Sequence, residues 1–477
     1  MKFKMLSALL LFFFLQTDMT SAQEYSQLPG VIHIHTTFSS GHYSIEQLVS
    51  MAKEKGLKVL VLTDHDLVVM EYGIFPLQNL LRKREERKSI LKLGPEKYLQ
   101  KIVRVNGKQK DVLVIPGVQS SPFYYWTGSF FGEGLTANDY RKELLVIGLQ
   151  TPEDYRGLPI LHKGFYTQYI KVLLPQSIFF LVSFFLAIYL FFQKGALKAA
   201  GGFIAVFSLI MLINYHPFKG SRFDPYHGDQ GIAPFQELID YVRKRDGLVF
   251  WAHPESNYAK TGVQLGPVKM VTKPYSDDLL ASKDYTGFSA IYGDNITVTD
   301  PGMHWDKALN EYCQDKRSRP PWGISGADFH VKKDGLELDT FQTIFLTKSK
   351  TMEAVLEALD KGRFYAIRKG DGPRLMLDQF HVKNNKDGNS AIMGQELDMQ
   401  GFPVVEGRLS ASDKGRYLVE VSVVRGGELV TSIKAQTPFE FHFEDQDGGT
   451  GKTFYRLDVR GDLCGRLLSN PIFVTKK

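Results

Sequence analysis

The sequence predicts an α/β protein: a barrel of parallel strands, broken by a two-helix membrane hairpin and followed by a β-sandwich. Three observations carry this. Short apolar runs that read as buried strands recur through residues 28–160 and 225–370, and several end in metal-type residues. Two uncharged apolar runs, 172–192 and 199–215, lie between those halves. From residue 371 helical periodicity stops and short alternating strands with Gly-rich turns begin.

The first element precedes the folded part. Lys2 and Lys4, the apolar stretch Met5–Leu15 and the small residues Thr20-Ser21-Ala22 have the layout of a secretory signal peptide over 1–22. Strand and helix then alternate. Val31–Ile34, Val59–Leu62, Val112–Ile115 and Leu144–Leu149 read as strands, and Ile45–Lys55 and the charged stretch Leu77–Leu93 as helices. The hairpin occupies 169–216. Ile178–Phe192 is apolar on every face, whereas a soluble helix normally keeps a polar stripe. Lys194 and Lys198 lie in the short connection, which the positive-inside rule assigns to the cytoplasm. An even number of spans returns the chain to the exported side. The barrel resumes with helix Pro234–Arg245, strand Leu248–Trp251, helix Trp305–Gln314, the short strand Gly323–Ser325, strand Thr340–Leu346 and helix Thr351–Lys361. Tyr417–Val424 and Phe439–Phe443 belong to the sandwich, 371–477.

Composition narrows the function classes. The chain has 477 residues, 43% of them apolar, enough for two or three domains. Its net charge is only +6 with no long basic block, so nucleic acid is not the favoured partner. Cys313 and Cys464 lack the spacing of a zinc knuckle or redox motif.

The chemistry sits at the strand ends. His33 and His35 close Val-Ile-His-Ile-His. Asp64 and His65 follow Val-Leu-Val-Leu-Thr, His253 follows Leu-Val-Phe-Trp-Ala, and Asp328 and His330 follow Ile-Ser-Gly-Ala. In a parallel barrel such positions converge on one rim. Imidazole and carboxylate together are ligands for a divalent metal ion. Asp64 and Asp66 are candidates to orient imidazole N–H groups, and His253 is a candidate general acid or base. His42, His162, His216, His227 and His304 read as ordinary surface or core histidines. Phe123-Tyr124-Tyr125-Trp126 reads as a packed loop or a substrate mouth, and Glu255 as a helix-start acid or a further ligand.

His-Ile-His-Thr-Thr-Phe-Ser-Ser-Gly, Thr-Asp-His-Asp, Ala-His-Pro and Gly-Ala-Asp-Phe-His, in that order, resemble the PHP (polymerase and histidinol phosphatase) superfamily. Leu356–Tyr365 and Ser469–Phe473 add a likeness to its carbaryl-hydrolase-like metallohydrolase branch. The resemblance implies a distorted (β/α)7 barrel, a divalent-metal site and a hydrolase of small-molecule esters, phosphoesters first. Carbamate or carboxylic esters are the alternative, as is a degenerate relative that binds without turnover. It further implies that His33, His35 and Asp328 hold one ion, that His65 and His330 hold another, and that His253 belongs to a third. Three family positions depart here. Ser40 and Gly41 stand where an acid is usual, Gln119 where a bridging Glu is usual, and Leu145 near a usual His. A neutral Gln119 bridges two cations poorly, so one or two ions are expected, with Gln119 an oxygen donor at most. A second ion would need help from His42 or Asp229.

Overall fold

The computed structural model describes residues 25–132, 134–258, 263–293, 296–333, 336–447 and 449–477; the expected signal peptide lies outside them. The first half contains β1 (Ser26–Ile34), β2 (Val59–Leu62), β3 (Asp64–His65), β4 (Val69–Gly73), β5 (Arg82–Glu86), β6 (Leu113–Ile115), β7 (Gly117–Ser120), β8 (Tyr125–Thr127), β9 (Thr136–Asn138) and β10 (Leu144–Ile147). After the apolar helices come β11 (Leu248–Trp251), β12 (Val263–Leu265), β13 (Val268–Val271), β14 (Gly287–Ile291), β15 (Trp322–Phe329), β16 (Phe341–Thr347) and β17 (Phe364–Arg368).

Strand pairing runs β1–β2, β2–β6, β3–β7, β7–β10, β10–β11, β11–β14, β14–β15 and back from β15 to β1. The ladder therefore ends on the strand where it began. Its strands are near-continuous apolar runs because both faces are covered: all four residues of β2, β10 and β11 are buried. Helix Ile45–Glu54 covers one side. Ser44 and Gln47 cap it reciprocally, and Ile45, Leu48, Val49 and Ala52 face inward. Helix Met352–Lys361 starts at Thr351, whose side chain accepts from Ala354 N, and stops at Gly362. There φ is +73° and a Cβ would lie 2.6 Å from the Trp322 ring, so only glycine fits.

Three sequence expectations change. β10 runs antiparallel to both neighbours, so the ring is not wholly parallel. β16 pairs antiparallel with the first half of β1 and with β17, branching off the ring. The charged stretch 77–93 is not one helix. β4 and β5 pair as an antiparallel hairpin, and only Ile90–Leu93 at its end is helical. Arg82 and Arg84 fall on the same side of β5, a period of two, because both reach the buried carboxylate of Glu71 at 2.7 and 3.2 Å.

Helices Ile170–Phe191 and Ala196–Asn214 are each long and apolar enough to cross a membrane, with a mean hydropathy of 2.1. Phe185, Phe192 and Phe203 are exposed, unlike the side chains of buried core helices. Their ends are fastened. Asn214 donates to Pro76 O at 3.0 Å and accepts from Asn79 N at 3.0 Å, and Ser177 donates to Tyr215 O at 2.8 Å.

The C-terminal region is all strand. Leu375–Asn384, Ser390–Ile392, Pro403–Ala411 and Phe439–Glu444 form one antiparallel sheet. Leu418–Arg425, Glu428–Gln436, Gly451–Gly461 and Gly465–Ser469 form a second, which joins the main sheet through β17. Leu377, Val405, Val421 and Leu457 share a core between them. A fully buried ion pair, Arg456 Nε to Asp306 Oδ1 at 2.7 Å, links this region to helix His304–Cys313. Cys313 and Cys464 are both free.

Candidate metal centre

Four strand ends assemble the site. His33 and His35 come from the end of β1, where the register shifts between Ile32 and Ile34 against both β2 and β15. His33 sits at the bulge with φ +73°. His253 (φ +28°) and Asp328 (φ +45°) also adopt left-handed backbone. Such conformations cost of order 1–3 kcal/mol each and persist where surrounding structure over-determines them.

The donors converge. Nitrogens of His33 and His35 and an oxygen of Asp328 all lie within 4.8 Å of one another. Asp328 Oδ1 is 3.3 Å from His33 Nε2, 3.5 Å from His35 Nε2 and 3.0 Å from His330 Nε2. The His330 ring stacks on His35 at 4.0 Å, and His65 lies 4.7 Å from His35. His253 lies 5.7 Å from His33. Gln119 Oε1 is 3.2 Å from His33 Nε2. The seven expected residues therefore neighbour one another, and His33, His35 and Asp328 come close enough to share one ion.

The donor chemistry fits a divalent cation. Burial, reinforced by neighbouring imidazoles, pushes His35 and His65 down to about 3, so both are neutral and offer lone pairs. Burial also lowers His33. Desolvation opposes ionisation of Asp328, but His33, His330 and His35 outweigh it and hold the carboxyl well below its usual range. Among the described residues, the buried Nε2 of His35 makes no hydrogen bond. Unpaired buried nitrogens are costly unless something else takes the lone pair.

Asp64 does not touch an imidazole. It accepts from Thr36 N and Thr36 Oγ1 at 2.8 Å each and from Ser39 Oγ at 2.6 Å, which fastens the loop after β1. Because Ser39 donates to Asp64, its oxygen is left to accept from His35 Nδ1 at 3.4 Å, and Nε2 then carries the lone pair. Asp64 is a positioning residue, reached through Ser39. Asp66 accepts from Leu67 N and orients no ring.

Glu143, absent from the sequence expectations, is the main addition. Its Oε2 is 3.2 Å from His253 Nε2. Burial alone would lower His253, but Glu143 outweighs it and raises the imidazole above 6.5. In turn His253 holds Glu143 below its ordinary range despite burial. On the other side of the ring, Tyr275 donates to Ala252 O, so its oxygen accepts from His253 Nδ1 at 3.3 Å.

Other candidates turn elsewhere. Asp229 accepts locally from Gly231 N, and the exposed His42 makes a backbone bond to His330 O. Glu255 accepts from the Thr297 and Val298 amides, tying two loops together. His162 pairs with Glu71 and Tyr124.

A cavity of about 590 Å³ opens on this cluster, lined by His65, Gln119, Glu143, Asp328 and His330. Arg87, Lys88 and Arg141 also face it.

Residues 32–172 match the PHP domain family. That match spans the His33/His35 and Asp64/His65 motifs and Gln119. No curated protein matches the chain in sequence. Solved structures similar at low levels include two. One is a two-domain protein containing a predicted PHP-like metal-dependent phosphoesterase from Bacteroides vulgatus: 12% identity, 93% of this chain and 95% of that one covered, TM-score 0.35. The other was solved as a candidate metal-dependent phosphoesterase, from Bifidobacterium adolescentis, with 13% identity, 64% of this chain and 88% of that one covered and a TM-score of 0.27. The carbaryl-hydrolase-like branch has no counterpart in these likenesses.

Proposed function

We propose that the protein is a metal-dependent phosphoesterase, exported and anchored in the inner membrane with its site on the outer side. The closed ladder is read as the distorted (β/α)7 barrel, and helices Ile170–Phe191 and Ala196–Asn214 as the membrane hairpin. One observation carries the catalytic reading: the three donors His33, His35 and Asp328 lie within 4.8 Å of each other on a cavity that also presents Arg87, Lys88 and Arg141. Guanidinium and ammonium groups recognise phosphate oxygens, and a carbamate or neutral carboxylic ester has no use for them.

His33, His35 and Asp328 would hold one zinc, manganese or iron ion, with Gln119 as a neutral oxygen donor; His65 and His330 offer a second position. A divalent ion there supplies a positive charge that polarises the ester and acidifies a water. The remaining roles fall to the protein. Arg87, Lys88 and Arg141 draw in and orient the phosphate. His253 carries a proton on Nε2 against Glu143 and can deliver it to the departing oxygen. Asp64, through Ser39, keeps the His35 lone pair turned inward.

The test is metal content together with a substrate panel. Full-length protein, loaded with manganese or zinc, should bind one or two ions and cleave phosphate esters faster than carboxylic esters or carbamates. One bound ion with no turnover would favour the degenerate-binder reading that the neutral Gln119 supports. No retained metal would end both.

A further inference from the structure

A second cavity, of about 450 Å³, lies at the outer end of the apolar hairpin. Tyr215, His216, Phe218 and Lys219, which follow directly on helix Ala196–Asn214, form one wall. Phe75 and Asn79, from the loop bolted to Asn214, together with Arg82 and Arg84 of β5, form another. Large apolar side chains ring this end and find no cover: Phe75 is 79% exposed, Phe165 73% and Leu81 55%. Exposed apolar groups beside spanning helices are at home in the bilayer interface, and cations just above them meet lipid phosphates.

The charges are arranged for that. Glu71, the main carboxylate in the cavity, is already engaged by Arg82, Arg84 and His162. Asp224 caps its own turn by accepting from Tyr226 N. Lys219 has the Tyr215 ring 5.9 Å from its ammonium and, among the described residues, no ion-pair partner. Burial lowers its pKa although Asp224 and Glu71 act against that, so its charge is only partly compensated by the protein.

We propose that this cavity is a headgroup site for an anionic lipid, holding the lipid phosphate at the bilayer surface beside Lys219. The inference rests on the hairpin's being in the membrane. Leu161 and His162 line both cavities, so a lipid held here lies one wall away from the metal centre.

The experiment uses the full chain in detergent, in an Asp328→Asn background that depletes the metal centre of its ion; the Lys219 variants then separate the headgroup site from any phosphate still held by Arg87, Lys88 and Arg141. The probes are dihexanoyl phosphatidic acid, dihexanoyl phosphatidylcholine and inorganic phosphate, titrated by calorimetry. Phosphatidic acid should bind at least about tenfold more tightly than either other probe, since it alone combines anionic charge with chains. Lys219→Gln should weaken it about fivefold, in line with one surface cation, and Lys219→Arg should restore it with an unchanged melting temperature. Equal binding of the two lipids, phosphate binding as tight as phosphatidic acid, or an indifferent Lys219→Gln would each overturn the proposal. Alkaline extraction of membranes separates the two readings. Release of the protein would end the anchoring itself, whereas retention without anionic preference would end only the headgroup site.

Discussion

Replacing Glu143 by Gln tests the proton-carrying role of His253 at a defined distance. The carboxylate oxygen and Nε2 are 3.2 Å apart, and both groups are buried. Two unit charges at that separation and an effective dielectric of about 20 interact by about 5 kcal/mol, a ceiling equal to nearly 4 pH units. Opposite charges in proteins usually deliver about one to three pH units. The sign is fixed by the chemistry. Glu143 favours protonated His253, so its negative charge raises the imidazole above 6.5. An acid is active below its pKa, so wild-type turnover should decline as pH rises through that raised value. In Glu143→Gln the decline should begin about one to three pH units lower, with turnover at acid pH largely kept. The assay is the pH profile of phosphoester hydrolysis by the metal-loaded full chain. If the alkaline decline stays in place while activity drops evenly at all pH values, Glu143 is not acting through His253, and a direct role as ligand replaces the one argued.

Asp328→Asn removes the anionic donor that three imidazoles share, and bound metal measured by plasma mass spectrometry should fall to about a tenth of wild type or less. Gln119→Glu restores a charge 3.2 Å from His33 and should raise metal retained under limiting supply, by the same measurement. Arg456→Met alone strands Asp306 without its partner in a fully buried site and should cost about 3–5 kcal/mol in denaturant unfolding. The double variant Asp306→Leu/Arg456→Met should recover most of that loss.

Much of the site was legible because the strands that carry it behave alike. A run such as Val59–Leu62 is apolar on both faces, and in a parallel strand the residue after the run reaches the rim. His35, His65, His253 and His330 follow that rule, while His33 and Asp328 sit just inside the ends of their own strands. Glu143 does not, and for a definite reason. β10 runs the other way, so the residue before the strand reaches the rim; Ala252, which precedes His253, donates its amide to Glu143 O. An acid just ahead of Leu-Leu-Val-Ile was the available signal, and only strand direction gives it meaning. Asp64 was found by its neighbour His65 but serves a loop, a distinction set by Thr36 and Ser39 in three dimensions. The β4–β5 hairpin was masked by its charges, whose alternation in Arg82 and Arg84 answers to one buried acid, Glu71, that only the cross-strand register sets opposite Arg84. The left-handed backbone at His33, His253 and Asp328 leaves no trace in residue type.

The antiparallel seam between β10 and β11 also sets a timetable. Ile147 pairs with Leu248, yet both apolar helices are translated between them. At about 5–20 residues per second a ribosome needs roughly 5–20 seconds to make that stretch. Until Leu248–Trp251 has been made, β10 lacks the strand that pairs with its second edge, and Glu143 lacks its histidine. The donor rim therefore cannot close before both apolar helices have been made, and a chain arrested within them would leave that edge of β10 unpaired.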